Sequence, residues 1–147
     1  MSSPAIKGNI VVVGASDGGV RGFGLRDGKL FWTVQSPKTV ISSPVVEGDR
    51  AYVGSADGHV YAIDVVTGEL AWKAPVCRQI TSSPAVNDGH IFVGGNDSVF
   101  CCLTTADGSV TWRFGAGTAI VTKPLITTDH VIFGSLDGNV YALHRGA

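Results

Sequence analysis

The chain has 147 residues, of which 44% are hydrophobic and 16% are charged, a balance typical of a single globular domain. Eleven basic and twelve acidic residues give a formal net charge of −1, which argues against a nucleic-acid or membrane-surface partner. Apolar runs such as Ile10 to Val13 are far too short to cross a bilayer, and the N-terminus lacks the pattern of a signal peptide. A cytoplasmic location is therefore favoured.

A forty-residue period runs through the whole sequence. It is carried by proline, glycine, aspartate and tryptophan positions: Pro4, Pro44, Pro84 and Pro124; Gly14, Gly54, Gly94 and Gly134; Asp17, Asp57, Asp97 and Asp137; Trp32, Trp72 and Trp112. Periods of 20–50 residues are typical of repeat architectures, in which each unit packs its apolar face on its neighbours. The period divides the chain into repeats at residues 2–40, 41–80, 81–120 and 121–147, within one domain spanning 1–147.

Each complete repeat predicts four short antiparallel strands. In the second repeat these are residues 42–46, 50–55, 60–64 and 69–73. The dipeptide Asp57-Gly58 predicts a type I′ hairpin turn, and Thr67-Gly68 predicts a further turn. The third repeat departs from this pattern because it has Ser98 in place of the turn glycine. The fourth repeat stops before any fourth strand.

The second strand of each repeat is a continuous apolar run, as in Ile91 to Val93, without polar alternation. Such a run predicts a strand that is covered on both faces. Four-stranded sheets that are buried on both faces and repeated radially form a β-propeller, and tight hairpins disfavour a β-solenoid. We therefore predict an all-β propeller with about 3.75 four-stranded blades in this chain.

The stretch from Ala62 to Trp72 resembles the A-x-D-x-x-T-G-x-x-x-W motif of quinoprotein-type (PQQ-like) propeller repeats. The resemblance extends over the whole chain and implies that the tryptophan of each blade docks between neighbouring blades. WD-type repeats are disfavoured because each tryptophan follows the Thr-Gly turn position instead of preceding it.

The missing fourth strand leaves two alternatives open. Two copies of the chain could form a homodimer that completes an eight-blade ring, or the missing blades could belong to a longer parent chain. Within this chain the strand from Val140 to Leu143 is left as an apolar edge, which is a template for pairing with another strand.

Few residues suggest a chemical site. The repeated aspartates are accounted for by the turns, and no histidine or cysteine spacing predicts a metal centre. Cys101 and Cys102 are predicted to point to opposite faces of a strand, which disfavours a disulfide between them. If one face binds a ligand, topology predicts the axial loops, whose polar residues are Lys38, His59, Arg78 and Gln79.

These observations predict a protein-binding or scaffold module with no enzymatic activity, no cofactor and no metal, belonging to a larger propeller or multidomain protein. The alternative is a fragment of a PQQ-dependent quinoprotein dehydrogenase. We assign structural roles within the repeat to Trp32, Trp72, Trp112, Asp57, Gly58 and Gly68.

Overall fold

The structure is a computed structural model that describes residues 2–146. Those residues form fifteen β-strands and no helix. In chain order the strands are β1 (Ala5–Lys7), β2 (Ile10–Gly14), β3 (Gly19–Gly24), β4 (Leu30–Gln35), β5 (Val45–Glu47), β6 (Arg50–Gly54), β7 (His59–Asp64), β8 (Leu70–Pro75), β9 (Ala85–Asn87), β10 (His90–Gly94), β11 (Val99–Thr104), β12 (Val110–Gly115), β13 (Leu125–Ile126), β14 (His130–Gly134) and β15 (Val140–His144).

Consecutive strands pair antiparallel to form four sheets, which are the blades of a partial propeller. The first three sheets have four strands each, β1–β4, β5–β8 and β9–β12, whereas the fourth has three, β13–β15. The predicted all-β propeller is therefore confirmed. In each four-stranded sheet the pairing of the third and fourth strands shifts register beside the tryptophan, as between Ala62 and Ile63 opposite Trp72.

The turn predicted at Asp57-Gly58 is tight, but the prediction that it is type I′ is wrong. A type I′ turn needs positive φ at both central residues. In this turn Gly58 has a φ of 87°, whereas Asp57 is not among the residues with positive φ. The connection is longer, because the amide of Gly58 donates to the carbonyl of Ser55 and the amide of Ser55 donates to the carbonyl of His59, both at 3.0 Å. The Asp57 carboxylate accepts from the amide of His59 at 2.9 Å and so holds the turn from within.

Ser98 occupies the position at which the other three repeats have glycine in this turn. It adopts a φ of 69°, close to the 85–87° of Gly18, Gly58 and Gly138. This left-handed region costs a residue with a side chain about 1–2 kcal/mol, and glycine's greater freedom in the unfolded chain offsets part of the difference. We expect Ser98→Gly to raise the free energy of unfolding by about 0.5–1 kcal/mol, measured by urea denaturation. An unchanged or lower value would contradict this account of the turn.

The apolar core lies between successive sheets. One cluster of buried side chains joins the first and second sheets, another joins the second and third, and another joins the third and fourth. The central strands β6 and β10 are buried on both faces, as predicted, whereas β2 and β14 alternate between buried and partly exposed residues. The reason is positional: the first and fourth sheets each have a neighbour on one side only among the described residues.

Candidate functional site

The repeated tryptophans fix each sheet to the next. The indole Nε1 of Trp32 donates to the carbonyl of Val65 at 2.8 Å, that of Trp72 to Thr105 at 3.1 Å, and that of Trp112 to Arg145 at 3.1 Å. In each case the acceptor directly follows the third strand of the next sheet, so the docking between blades implied by the resemblance is present.

Gly68 accommodates the indole ring of Trp32. It has a φ of 74°, and a methyl group on its Cα would overlap that ring. In the third sheet, a methyl group on Gly108 would likewise overlap the indole ring of Trp72 from the second sheet. These glycines therefore serve both the turn and the packing between blades.

The turn aspartates are engaged within their own hairpins. The Asp57 carboxylate accepts from the hydroxyl of Tyr61 at 2.5 Å, and Asp137 accepts from Tyr141 at 2.7 Å. Burial raises the pKa of Asp57, but hydrogen bonds from Tyr61 and from the His59 amide outweigh it, so the net pKa is lowered. Burial, together with the bond to Asp57, raises the pKa of Tyr61 to about 12. These carboxylates thus stabilise hairpins.

Asp97 is the exception among them. The residue four positions later is Cys101, where the second and fourth repeats have tyrosine, so the hydroxyl partner is missing. One carboxylate oxygen, Oδ2, accepts from the backbone amide of Arg78 at 3.0 Å. The other, Oδ1, is buried and has no hydrogen-bond partner among the described residues.

Three of the four predicted axial residues line one cleft. Lys38, Arg78 and Gln79 border a cleft of about 360 Å³, together with Ala56, Asn96 and Asp97. The Gln79 carbonyl accepts from the Asn96 amide at 2.9 Å, which holds two sides of the cleft together.

His59, the fourth predicted residue, is not among the residues that line the cleft. Its Nδ1 lies 3.4 Å from the Asp57 carboxylate, within its own hairpin.

Asn96 and Asp97 are lining residues that the sequence reasoning missed. The period itself contains the signal, because Asn96 and Asp97 occupy the same repeat positions as Ala56 and Asp57, and that turn lies on the axial side. Only the packed loops show that Asn96 meets Gln79, with its Nδ2 3.4 Å from Oε1.

The cysteines are structural. Cys101 lies in the core between the second and third sheets and Cys102 in the core between the third and fourth, so their side chains point to opposite faces, as predicted. All three cysteines are free thiols.

Thiol reactivity gives a direct test of this environment. Burial, reinforced by the charge of Asp97, raises the pKa of Cys77 to about 12, and burial raises that of Cys101 to about 11. The raised values mean that both thiols are protonated at pH 8, and only thiolates react rapidly. We expect iodoacetamide at pH 8 to leave the folded chain essentially unmodified by mass spectrometry and to alkylate three cysteines in guanidinium chloride. Rapid alkylation of Cys77, which is only partly buried, would contradict its raised pKa.

A second cavity of about 330 Å³ opens between the third and fourth sheets, beside Trp112 and His90. At the same place between the second and third sheets, the longer Arg50 reaches across to the carbonyl of Thr105 at 3.1 Å. The His90 ring reaches only the carbonyl of Asp88, so the space stays open. Within residues 2–146 the fourth sheet also has no counterpart of the β11–β12 turn, whose Gly108 lies against Trp72, so two differences coincide at this cavity.

Comparison with known proteins decides the family. A family model described as outer membrane protein assembly factor BamB matches residues 1–76 and 57–146. The chain belongs to this family. No match is found among curated protein sequences.

Solved structures with the same fold include a BamB, a designed protein and an alcohol dehydrogenase. BamB from Moraxella catarrhalis superposes with a TM-score of 0.81 at 19% identity, over 93% of this chain and 46% of that chain. The computationally designed Ika4 protein superposes with a TM-score of 0.87 at 19% identity, over 98% of this chain and 92% of the Ika4 chain. A quinohemoprotein alcohol dehydrogenase from Pseudomonas putida HK5 superposes with a TM-score of 0.71 at 23% identity, over 78% of this chain and 20% of the dehydrogenase chain. The chain thus spans less than half of the BamB chain.

The PQQ-like fold raises the question of a quinone bound together with Ca²⁺, and the side chains of residues 2–146 offer no cluster that fits the Ca²⁺ ion. Ca²⁺ takes six to eight oxygen ligands, mostly carboxylates and carbonyls. Among residues 2–146 no group of three or more histidine, cysteine, aspartate or glutamate side chains could hold a metal ion. The same part of the chain contains no helix long and apolar enough to span a membrane.

Proposed function

We propose that this chain is a non-enzymatic PQQ-like propeller module that binds another protein through its axial cleft. The observation that carries the proposal is the convergence of polar side chains from successive blades. Lys38 follows the first sheet, Arg78 and Gln79 follow the second, and Asn96 lies in a hairpin of the third.

The charges of the cleft favour an acidic segment as the ligand. No hydrogen bond or ion pair within residues 2–146 engages the Lys38 ammonium or the Arg78 guanidinium. Asp97 adds one negative charge to the lining, so these two cations leave the cleft with a net positive charge. A guanidinium recognises a carboxylate through two parallel hydrogen bonds. The similarity to BamB, which its family description calls an assembly factor, is in keeping with a role in protein interaction.

The test uses a fluorescein-labelled glutamate-rich peptide as the probe, measured by fluorescence anisotropy. We expect the double variant Lys38→Glu/Arg78→Glu to bind it at least tenfold more weakly, because two attractive charges become repulsive. Arg26→Glu/Lys29→Glu is the matched control, since it makes the same charge change in the β3–β4 turn, on the other side of the sheet. Equal loss in both variants, or no binding by the parent chain, would overturn the proposal.

The dehydrogenase alternative rests on likeness of fold alone, at 23% identity. A titration with pyrroloquinoline quinone and Ca²⁺, followed by absorbance, separates the two functions. We expect no saturable binding and no dye-linked oxidation of alcohols. Saturable binding would favour the dehydrogenase.

A further inference from the structure

Every interface between blades joins two different faces. In the second sheet, Val46, Ala51 and Ile63 stand in one cross-strand row and belong to the core shared with the first sheet. We call this the upstream face. The opposite row, Val45, Tyr52 and Ala62, belongs to the core shared with the third sheet and is called the downstream face.

The upstream face of the first sheet is apolar and uncovered. Its row consists of Ile6, Val11 and Phe23, which occupy the repeat positions of Val46, Ala51 and Ile63. Ile6 is 59% exposed. Leu25 is 49% exposed, whereas Val65, one repeat later, is fully buried.

The backbone of this face already has the conformation of a buried one. The Leu25 amide donates to the Asn9 carbonyl at 2.7 Å, as the Val65 amide donates to Asp49 at 2.9 Å. Gly28 has a φ of 68°, close to the 74° of Gly68. A methyl group added to Gly68 would meet Trp32, whereas a methyl group added to Gly28 would have no atom within 4 Å. The face is therefore preformed for a neighbouring blade.

The downstream face of the fourth sheet is the other uncovered face. Leu125, Ile132 and Ala142 form its cross-strand row. Val140 is 76% exposed, whereas Val60, two repeats earlier, is fully buried. Two contiguous apolar faces of this kind indicate interaction sites.

We infer that a second copy of this chain covers both faces, with the downstream face of each copy packed on the upstream face of the other. The three interior interfaces show that these two kinds of face pack on each other, and the two open faces are one of each kind. The open downstream face differs from the interior ones in one respect, since the three-stranded fourth sheet, as described to residue 146, has no counterpart of Trp32, Trp72 and Trp112. A head-to-tail contact closes into a ring when its rotation allows. Two four-blade arcs give eight blades, which lies within the range that propellers adopt. This inference does not depend on the proposed ligand of the axial cleft.

The repeat also identifies residues that meet at the junction. Phe100 and Phe133 stack between the third and fourth sheets with ring centroids 3.9 Å apart. Val140 lies one repeat after Phe100, and Val13 occupies the repeat position of Phe133. Val140 of one copy is therefore expected to face Val13 of the other.

The experiment measures mass by light scattering after size exclusion. The parent chain is expected at twice its 15.2 kDa. Val13→Glu alone and Val140→Arg alone are each expected to weaken the dimer at least tenfold, because each places a charge in both junctions. Mixing the two variants is expected to restore a dimer, which has one unaltered junction and one in which the introduced carboxylate meets the introduced guanidinium.

Val66→Glu is the control, since Val66 is 67% exposed and lies in a turn of the second sheet. It is expected to remain dimeric. Circular dichroism checks that each variant is folded. A monomeric parent chain would mean that other blades cover these faces and would overturn the inference. So would failure of the mixture to dimerise, because a contact between like faces gains nothing from mixing.

Discussion

Trp32→Ala is expected to lower the free energy of unfolding by about 3–5 kcal/mol, the range for removing a large aromatic side chain from a core. Trp32 is 8% exposed, packs in the core between the first two sheets, and donates to the Val65 carbonyl. Its loss would leave a cavity between blades and a backbone carbonyl without its donor. Urea denaturation followed by circular dichroism measures the change.

Phe31→Ala is the matched control because Phe31 is the adjacent residue on the same strand and is 49% exposed. We expect it to cost under about 1 kcal/mol, as surface substitutions away from special features do. Trp72 and Trp112 are partly buried, so their alanine variants should fall at the lower end of the range for Trp32. Equal costs for Trp32→Ala and Phe31→Ala would contradict the anchoring role of the indole.

Gly58→Ala is expected to lower the free energy of unfolding by about 2–5 kcal/mol. Gly58 has a φ of 87°, a conformation that costs other residues about 1–2 kcal/mol. A methyl group there would also overlap the Cys77 carbonyl, and relieving such a contact costs about 1–3 kcal/mol more. The Gly58 carbonyl also accepts from the Val76 amide at 2.9 Å, which holds the two segments together.

Gly138→Ala separates these two causes. Gly138 has nearly the same φ, 85°, but nothing lies within 4 Å of the position that a methyl group would take. We expect it to cost only about 1–2 kcal/mol. The difference between the two alanine variants therefore measures the close approach at Gly58. Equal costs would mean that the Cys77 segment moves away freely.

Much of the fold could be predicted because the information is local and repeated. The repeated prolines and glycines predicted where the strands begin and end, and the apolar runs of β6 and β10 predicted burial on both faces, as found. The type I′ prediction for Asp57 was wrong because a dipeptide does not report the length of its turn. That length depends on which backbone amides pair, which is decided by the register of β6 and β7.

The candidate site was predicted only in part. Lys38, Arg78 and Gln79 were assigned to one side by topology, and they line one cleft. His59 was assigned to the same side, but its ring lies by Asp57 and is not part of the lining. Topology gives the side of a sheet on which a loop emerges, whereas side-chain direction depends on the packing of the turn. The absence of enzymatic activity, the partner and the cytoplasmic location stay predictions.

The sequence by itself determined the repeat and the antiparallel strands, because each follows from residues within one forty-residue unit, whereas the docking of the tryptophans was implied by the family resemblance. Only the tertiary structure decided which faces are covered. Val11 and Ala51 occupy the same repeat position and are both apolar, yet Ala51 is buried and Val11 is partly exposed. The reason is that burial of a sheet's face depends on the neighbouring sheet and not on the residues of that face. The unpartnered Asp97 oxygen was likewise decided by tertiary packing, since burial removes the water that would otherwise solvate it.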